Sequence, residues 1–188
     1  MSAISYLLQV FLWLLLSVFL LRVLLPLSRA DARNPFSQAV IRMTNPLVLP
    51  LRRVFPAIGR MDTGAVIALM LVQLTATAVL MMLRYHALVD QSLFFHALLI
   101  NALFDLITLV LEFYKWATIM YALLSWVAPD TYSPVASILT SLVNPIVRPW
   151  RRIIPPFGGL DFSALFTIVV IQALLYLLGD FQMQLAFA

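Results

Sequence analysis

The chain has 188 residues, of which 63% are hydrophobic and 11% charged, with no cysteine and a mean hydropathy of +1.01. Soluble domains run at about 45–50% apolar and about 25% charged, so this composition excludes an ordinary soluble enzyme, and the lack of cysteine excludes disulfides, thiolate metal sites and thiol nucleophiles. The net charge of +4 and pI near 9.9 would suggest nucleic acid in a soluble chain, but in a membrane chain they are read by where the cations fall.

Four apolar stretches are long enough to cross a bilayer: Ala3–Leu25, Thr63–Leu83, Leu106–Ala128 and Phe162–Gly179. The first has no cation ahead of its apolar run, and Arg22 and Arg29 lie on its far side. That order predicts a retained helix with its N-terminus outside, not a cleaved signal peptide.

After the first span, Asn34-Pro35 supplies a capping side chain and then a proline at the first helical position. Phe36, Ala39, Val40 and Met43 follow at i, i+3, i+4 and i+7, one face of a short amphipathic helix of about ten residues that lies in the membrane interface or packs under the bundle. Next come Pro46, Pro50 and Pro56; because proline removes backbone donors and biases its predecessor to extended conformations, they predict a rigid, non-helical strap. Gly59 permits the tight turn back, and Asp62 caps the second span at its positive dipole end.

The apolar run Leu93–Phe104 covers only about 18 Å as helix, against about 30 Å of hydrocarbon, and is expected to be interfacial. Leading into and along the third span, Asn101, Asp105, Thr108, Glu112 and Lys115 are spaced 4, 3, 4 and 3, which places them within a stripe about 80° wide on one helix face. Glu112 and Lys115 lie deep in the apolar run, where a lone charge costs about 2.5–3.5 kcal/mol, so they must face protein or water. Two readings stand: a self-neutralising i, i+3 ion pair that holds helices together, or part of a proton or ion path. Gln73 and Gln172, near mid-span in the second and fourth spans, are expected to bond across helices.

These elements occur twice. Asn45-Pro-Leu-Val-Leu-Pro-Leu-Arg-Arg-Val-Phe-Pro-Ala-Ile-Gly-Arg-Met-Asp62 recurs without a gap, 99 positions on, as Asn144-Pro-Ile-Val-Arg-Pro-Trp-Arg-Arg-Ile-Ile-Pro-Pro-Phe-Gly-Gly-Leu-Asp161. Pro145, Pro149, Pro155, Gly158 and Asp161 thus repeat the strap, turn and cap, and Ser133-Pro134 with Val135, Ile138, Leu139 and Leu142 repeats the short helix. Residues 1–89 recur as 100–188 around a joint at 90–99, and the alignment sets Trp13 and Leu16 opposite Glu112 and Lys115. The expected architecture is therefore all-α: four transmembrane helices as two helix-hairpin repeats, parallel because each holds an even number of spans.

Nine of the twelve cations fall between spans one and two or between spans three and four. The positive-inside rule makes those loops cytoplasmic and leaves both termini outside; the basic pI is then topology, with no nucleic acid implied. The pairs Arg52-Arg53 and Arg151-Arg152 admit two readings. As planar donor forks they could clamp anionic lipid phosphates or a partner's carboxylates; otherwise they are orientation signals salt-bridged to the nearby aspartates. His86 and His96 have no carboxylate at metal-ligand helical spacing, Ser125 joins no nucleophile motif and no phosphate loop is present, so no catalytic, metal or cofactor site is expected.

The doubled N-P-x-x-x-P-x-R-R-x-x-P-x-x-G-x-x-D loop, each time followed by an apolar helix, resembles the YggT family of small integral membrane proteins across essentially the whole chain. Family members also tend to carry Arg and then Ser-Trp at the end of a repeat's first span; here repeat one has Arg22 but Leu25-Pro26-Leu27, and repeat two has Ser125-Trp126 but Tyr121. The resemblance implies a bacterial inner-membrane protein with associations to osmotic or potassium stress, cell division and assembly of a membrane cytochrome. Two functions follow as expectations. One is a non-enzymatic scaffold or assembly factor that docks lipid, a membrane-protein partner or a second copy through the Arg pairs. The other is an ion-conducting or ion-sensing protein using the polar stripe.

Overall fold

The computed structural model describes residues 3–84, 91–127, 133–153 and 161–187. These form six helices: α1 (Ala3–Leu27), α2 (Pro35–Val54), α3 (Thr63–Arg84), α4 (Gln91–Val127), α5 (Pro134–Arg151) and α6 (Phe162–Phe187). Four of them, α1, α3, α4 and α6, are long and apolar enough to span a membrane, where only helices and closed barrels satisfy their own backbone groups. Among the described residues there is no strand, only one bridge between Ile58 and Met61. The expected all-α architecture with four spans is the observed one.

The straps are where the expectation fails. Pro46 and Pro50 lie inside α2, and Pro145 and Pro149 lie inside α5, so each short helix continues through two of its three prolines. The reason is their placement. The buried residues of α2 are Ser37, Val40, Thr44 and Val48, and each proline stands two positions, about 200°, from the buried Thr44 or Val48. All four prolines are exposed, so the carbonyls that lose their i+4 donors face outward, where other donors reach them, and the helix survives a break that a buried face would not tolerate. Pro56 is left in the connection, and Gly59 turns the chain with φ +59°. Pro155, Gly158 and His86 lie outside the described residues.

Two further boundaries shift. Leu93–Phe104 is not a separate interfacial element but the first part of α4, because Gln91–Val127 contains no glycine or proline to interrupt it. At about 1.5 Å per residue this helix is far longer than the hydrocarbon is thick. The last helix also continues past Gly179 to Phe187. The amphipathic face expected for α2 is mostly outside: Phe36 and Met43 are exposed and only Val40 is buried, whereas Ile138 and Leu142 of α5 are buried as expected.

The capping side chains act as the sequence predicts. Asn34 Oδ1 accepts from Phe36 N at 2.9 Å and Ser133 Oγ from Ala136 N at 3.0 Å. The main core joins Leu16, Phe19 and Leu20 of α1 to Ala65, Ala68, Leu69 and Ala76 of α3, with Leu109 of α4 and Val48 of α2. Alanines on α3 let the helices approach closely, the usual device where lipid removes the hydrophobic drive between helices. Leu25, Val40, Ile138 and Leu142 form a second cluster, which packs α2 against α5 and so ties the repeats together. The chain ends of α1 and α6 lie at one end of the bundle, and α2 and α5 at the other.

Candidate functional site

The motif aspartates sit at the α2/α5 end, each at the start of its repeat's second span. In repeat one, Asp62 is buried and its Oδ1 accepts from Ala65 N at 3.3 Å, capping α3. Its Oδ2 accepts from Arg22 Nη2 at 3.3 Å, and Arg52 Nε lies 3.5 Å from Oδ1. Arg22, 7% exposed on α1, is a partner that the motif does not contain; only its place among the family residues marked it. Arg52 stays largely in the open, its side chain 44% exposed.

Repeat two solves the same problem differently. Tyr121 stands where Arg22 stood, and Arg151 takes over: Nε and Nη2 reach Asp161 Oδ2 at 2.9 and 2.6 Å, Nη1 donates to Asn144 Oδ1 at 3.2 Å, and Nη2 also donates to the Tyr121 hydroxyl. Asp161 Oδ1 accepts from the backbone N–H and hydroxyl of Ser163. Burial by itself would raise the Asp161 carboxyl, but hydrogen bonds from Ser163 and Arg151 outweigh it and hold it below the ordinary carboxylate range. Burial likewise works against Arg151, and its bonds to Asp161 and Tyr121 hold it above its ordinary value.

The structure therefore splits the arginine pairs. Arg52, itself exposed, and Arg151, half-buried, turn toward the aspartates, while Arg53 and Arg152 are exposed with no aspartate beside them among the described residues. Arg29, Arg33, Arg42, Arg60 and Arg148 are exposed as well, so the α2/α5 end is a basic platform. Asn144 belongs to the repeat-two latch; its equivalent, Asn45, lies half-buried on α2.

At mid-span and toward the chain termini lies a second polar region. Lys115 Nζ donates to Glu112 Oε1 at 2.7 Å and to Gln172 Oε1 at 3.3 Å, so the ion pair on α4 is also tied to α6. Thr77 Oγ1 donates to Asp105 Oδ2 at 2.8 Å, and Gln73 Nε2 donates to Thr77 Oγ1 at 3.1 Å. Gln182 Nε2 donates to Asn101 Oδ1 at 3.0 Å, again joining α6 to α4. Asn101, Asp105, Thr108 and Glu112, four of the five stripe residues, line one cavity of about 990 Å³, with Gln73 and Thr77 of α3 facing them and Gln182 of α6 at its edge. Lys115, the fifth, points to α6 instead. Thr77 and Gln182 were missed in the sequence, although Thr77, four positions after Gln73 on the same helix face, was there to be read.

A doubled hairpin of membrane-crossing helices, each second span held at its start by an Arg–Asp latch, defines a class of tandem-repeat, multi-pass membrane protein. A model of the CCB3/YggT family matches residues 1–83 and again 100–182, and the chain belongs to that family. It is 35% identical over 171 residues to the uncharacterized protein PA0392 of Pseudomonas aeruginosa, covering 91% of this chain and 85% of that one. It is 34% identical over 180 residues to an uncharacterized protein in the proC 3' region of Vibrio alginolyticus, covering 96% and 95%. With the uncharacterized protein YggT of Escherichia coli strain K12 it shares 30% identity over 174 residues, 93% of this chain and 88% of that one. No solved structure matches the chain.

Proposed function

We propose that this protein is a non-enzymatic scaffold or assembly factor of the bacterial inner membrane, with both termini periplasmic and the α2/α5 platform cytoplasmic. The observation that carries the reading is the exposure of Arg53 and Arg152, each next to a motif arginine that pairs with the aspartate at the start of the following span. An exposed guanidinium at a helix end suits bidentate contact with a phosphate or carboxylate. Exposed Phe36, Met43 and Leu47 supply apolar surface along the helix that carries Arg53, as in helices that lie in the headgroup region. The phosphates of anionic lipid are the first ligand of this platform, and a membrane-protein partner or second copy would dock on the same face.

Native mass spectrometry of the detergent-released protein tests this directly. The wild type retains anionic phospholipid through mild delipidation, and the Arg53→Ala, Arg152→Ala double variant, still folded, loses most of it. Arg53→Lys, Arg152→Lys retains an intermediate amount, because charge survives but the fork does not. Equal retention by all three would reduce the pairs to orientation signals.

A second reading is favoured by the cavity, which brings the polar stripe to mid-span: the protein conducts or senses ions there. Potassium and proton flux in proteoliposomes, with Glu112→Gln, Lys115→Met beside the wild type, decides it. Flux abolished by the variant supports conduction, and no flux above empty vesicles removes it.

A further inference from the structure

The two repeats do not share the platform's charge equally. Residues 28–62 carry six arginines and two aspartates, whereas the positions that repeat them, 127–161, carry three arginines and two aspartates. Arg60, in the turn beyond α2, has Gly159 as its counterpart.

The latches widen this difference. Asp62 has two guanidinium groups beside it, Arg22 at 3.3 Å and Arg52 at 3.5 Å, and one carboxylate neutralises one of them. Arg22, 7% exposed, has no other place for its charge, because an unpaired buried cation is costly. Arg52, with its side chain 44% exposed, is therefore the cation that another anion can draw away. In repeat two, Asp161 pairs with Arg151 alone among the described residues, and that guanidinium also donates to Asn144 and Tyr121. It has nothing left to offer.

Every residue from Arg52 to Met61 is exposed, yet the segment is tied down. Thr63 Oγ1 donates to the carbonyls of Phe55 and Pro56 at 3.0 and 2.7 Å, and Ile58 and Met61 exchange two backbone hydrogen bonds of 3.0 Å. Arg52, Arg53 and Arg60 thus share one short connection with exposed Val54, Phe55, Ile58 and Met61, directly ahead of the span α3. Guanidinium forks suit a phosphate, and apolar side chains where the chain enters the bilayer suit acyl chains. A free anion would leave the apolar residues uncovered.

We infer that the anionic-phospholipid site of the platform belongs to repeat one: the lipid phosphate draws Arg52 from Asp62 and is shared with Arg53 and Arg60, while Arg22 keeps the aspartate paired. This rests on the reading of the platform as a lipid-docking face and assigns that face to one repeat. Arg22 is a positioning residue that does not meet the lipid.

Native mass spectrometry of the full chain in detergent, titrated with phosphatidylglycerol and separately with phosphatidylethanolamine, tests the site. The wild type is expected to prefer phosphatidylglycerol. Arg52→Ala, Arg53→Ala weakens that binding about tenfold or more, as loss of hydrogen bonds to a charged group does, and Arg152→Ala leaves it within about twofold. Arg22→Met separates this mechanism from simple charge: Asp62 then has Arg52 as its remaining partner and pulls it in, so binding falls although no lipid contact is removed. Unchanged binding in Arg52→Ala, Arg53→Ala or in folded Arg22→Met overturns the inference. If Arg22→Met does not fold, Tyr121→Arg decides, since it gives Asp161 a second cation and releases Arg151: a second bound lipid supports the mechanism and unchanged stoichiometry overturns it. Displacement of the lipid by an equal concentration of inorganic phosphate would make the site one for a free anion. A loss confined to Arg152→Ala overturns the assignment to repeat one and leaves the platform reading standing, whereas a wild type without preference for phosphatidylglycerol overturns both.

Discussion

The two Arg–Asp latches are one design realised twice with different donors. In repeat one the carboxylate of Asp62 is buried against a buried arginine from α1, and the motif arginine, Arg52, stands at 3.5 Å and largely in the open. In repeat two α1's counterpart, α4, offers Tyr121, and the motif arginine moves in to make the pair itself. The constant part is the aspartate that caps the second span; the cation is whichever neighbour the duplication left in reach. Gly64 and Ser163 follow the same division. A Cβ at Gly64 would lie 3.0 Å from Arg52 N, so glycine admits the end of α2 closely, whereas Ser163 occupies that space in repeat two and adds a hydroxyl to the aspartate.

The sharpest way to break this comparison is to remove each carboxylate. Asp62→Asn leaves Arg22 buried without its counter-charge, a loss of about 3–5 kcal/mol, whereas Asp161→Asn strands an arginine that is a third exposed and reaches water, and so costs clearly less. Thermal unfolding in detergent should rank Asp62→Asn well below Asp161→Asn. Adding Arg22→Met to Asp62→Asn should restore much of the loss, since replacing both buried charges by apolar bulk is often neutral. Equal melting points for the two Asn variants would mean that the latches are energetically the same, whatever their geometry.

Exchanging the small residues comes next. Gly64→Ser forces α2 away from α3 and should destabilise by about 1–3 kcal/mol, as overpacking does. Ser163→Gly removes a capping hydroxyl without a clash and should cost about 1 kcal/mol. If Gly64→Ser were silent, the close approach of Arg52 to α3 would not be constraining the platform.

Acid tests the repeat-two latch by itself. Asp161 is held below its ordinary range in the folded protein, so the unfolded chain takes up its proton first as pH falls. The stability that this carboxylate supplies is fully present above its ordinary value of 3.8 and is lost as pH falls from there through the lower folded value. Unfolding scans from pH 6 down to pH 3 should show a decline that Asp161→Asn flattens. A decline of unchanged slope in that variant would assign the acid sensitivity elsewhere.

Much of this was legible beforehand because membrane physics leaves few options. Spans, hairpin pairing and parallel repeats follow from apolar length and a recurring pattern, and the caps at Asn34, Ser133, Asp62 and Asp161 follow from local chemistry. The strap was misread because Pro46, Pro50, Pro145 and Pro149 act as breakers only if their missing donors are needed, and which face of a helix is exposed is decided by packing. The Arg22–Asp62 pair spans 40 positions and joins two spans, so no local pattern displays it. The cavity needs four helices brought together before the stripe on α4 acquires a facing wall. What the sequence did hold was the contrast of Trp13 and Leu16 with Glu112 and Lys115, which confines the intramembrane ion pair to repeat two.

Tyr121 gives the smallest effect and the most specific one. The phenol accepts from Arg151 Nη2, but that nitrogen also reaches Asp161 at 2.6 Å, and the guanidinium lies 5.8 Å from the Tyr121 ring centre. Tyr121→Phe keeps the ring and its attraction for the cation and removes only the neutral acceptor, so a loss of about 0.5–1.5 kcal/mol is expected. Tyr121→Arg instead recreates the repeat-one arrangement. With two guanidinium groups and one carboxylate, the new cation on α4 should take over Asp161 as Arg22 holds Asp62, and repulsion should push Arg151 outward toward the half-exposed position that Arg52 holds. Removing Arg151 then matters less: Arg151→Ala should cost clearly more stability by itself than when Tyr121→Arg is already present, a coupling that a double-mutant cycle of thermal unfolding reads directly. An equal cost of Arg151→Ala in both backgrounds, with the fold intact, would show that helix packing alone holds this arginine inward, and that the residue at position 121 has no part in choosing the cation.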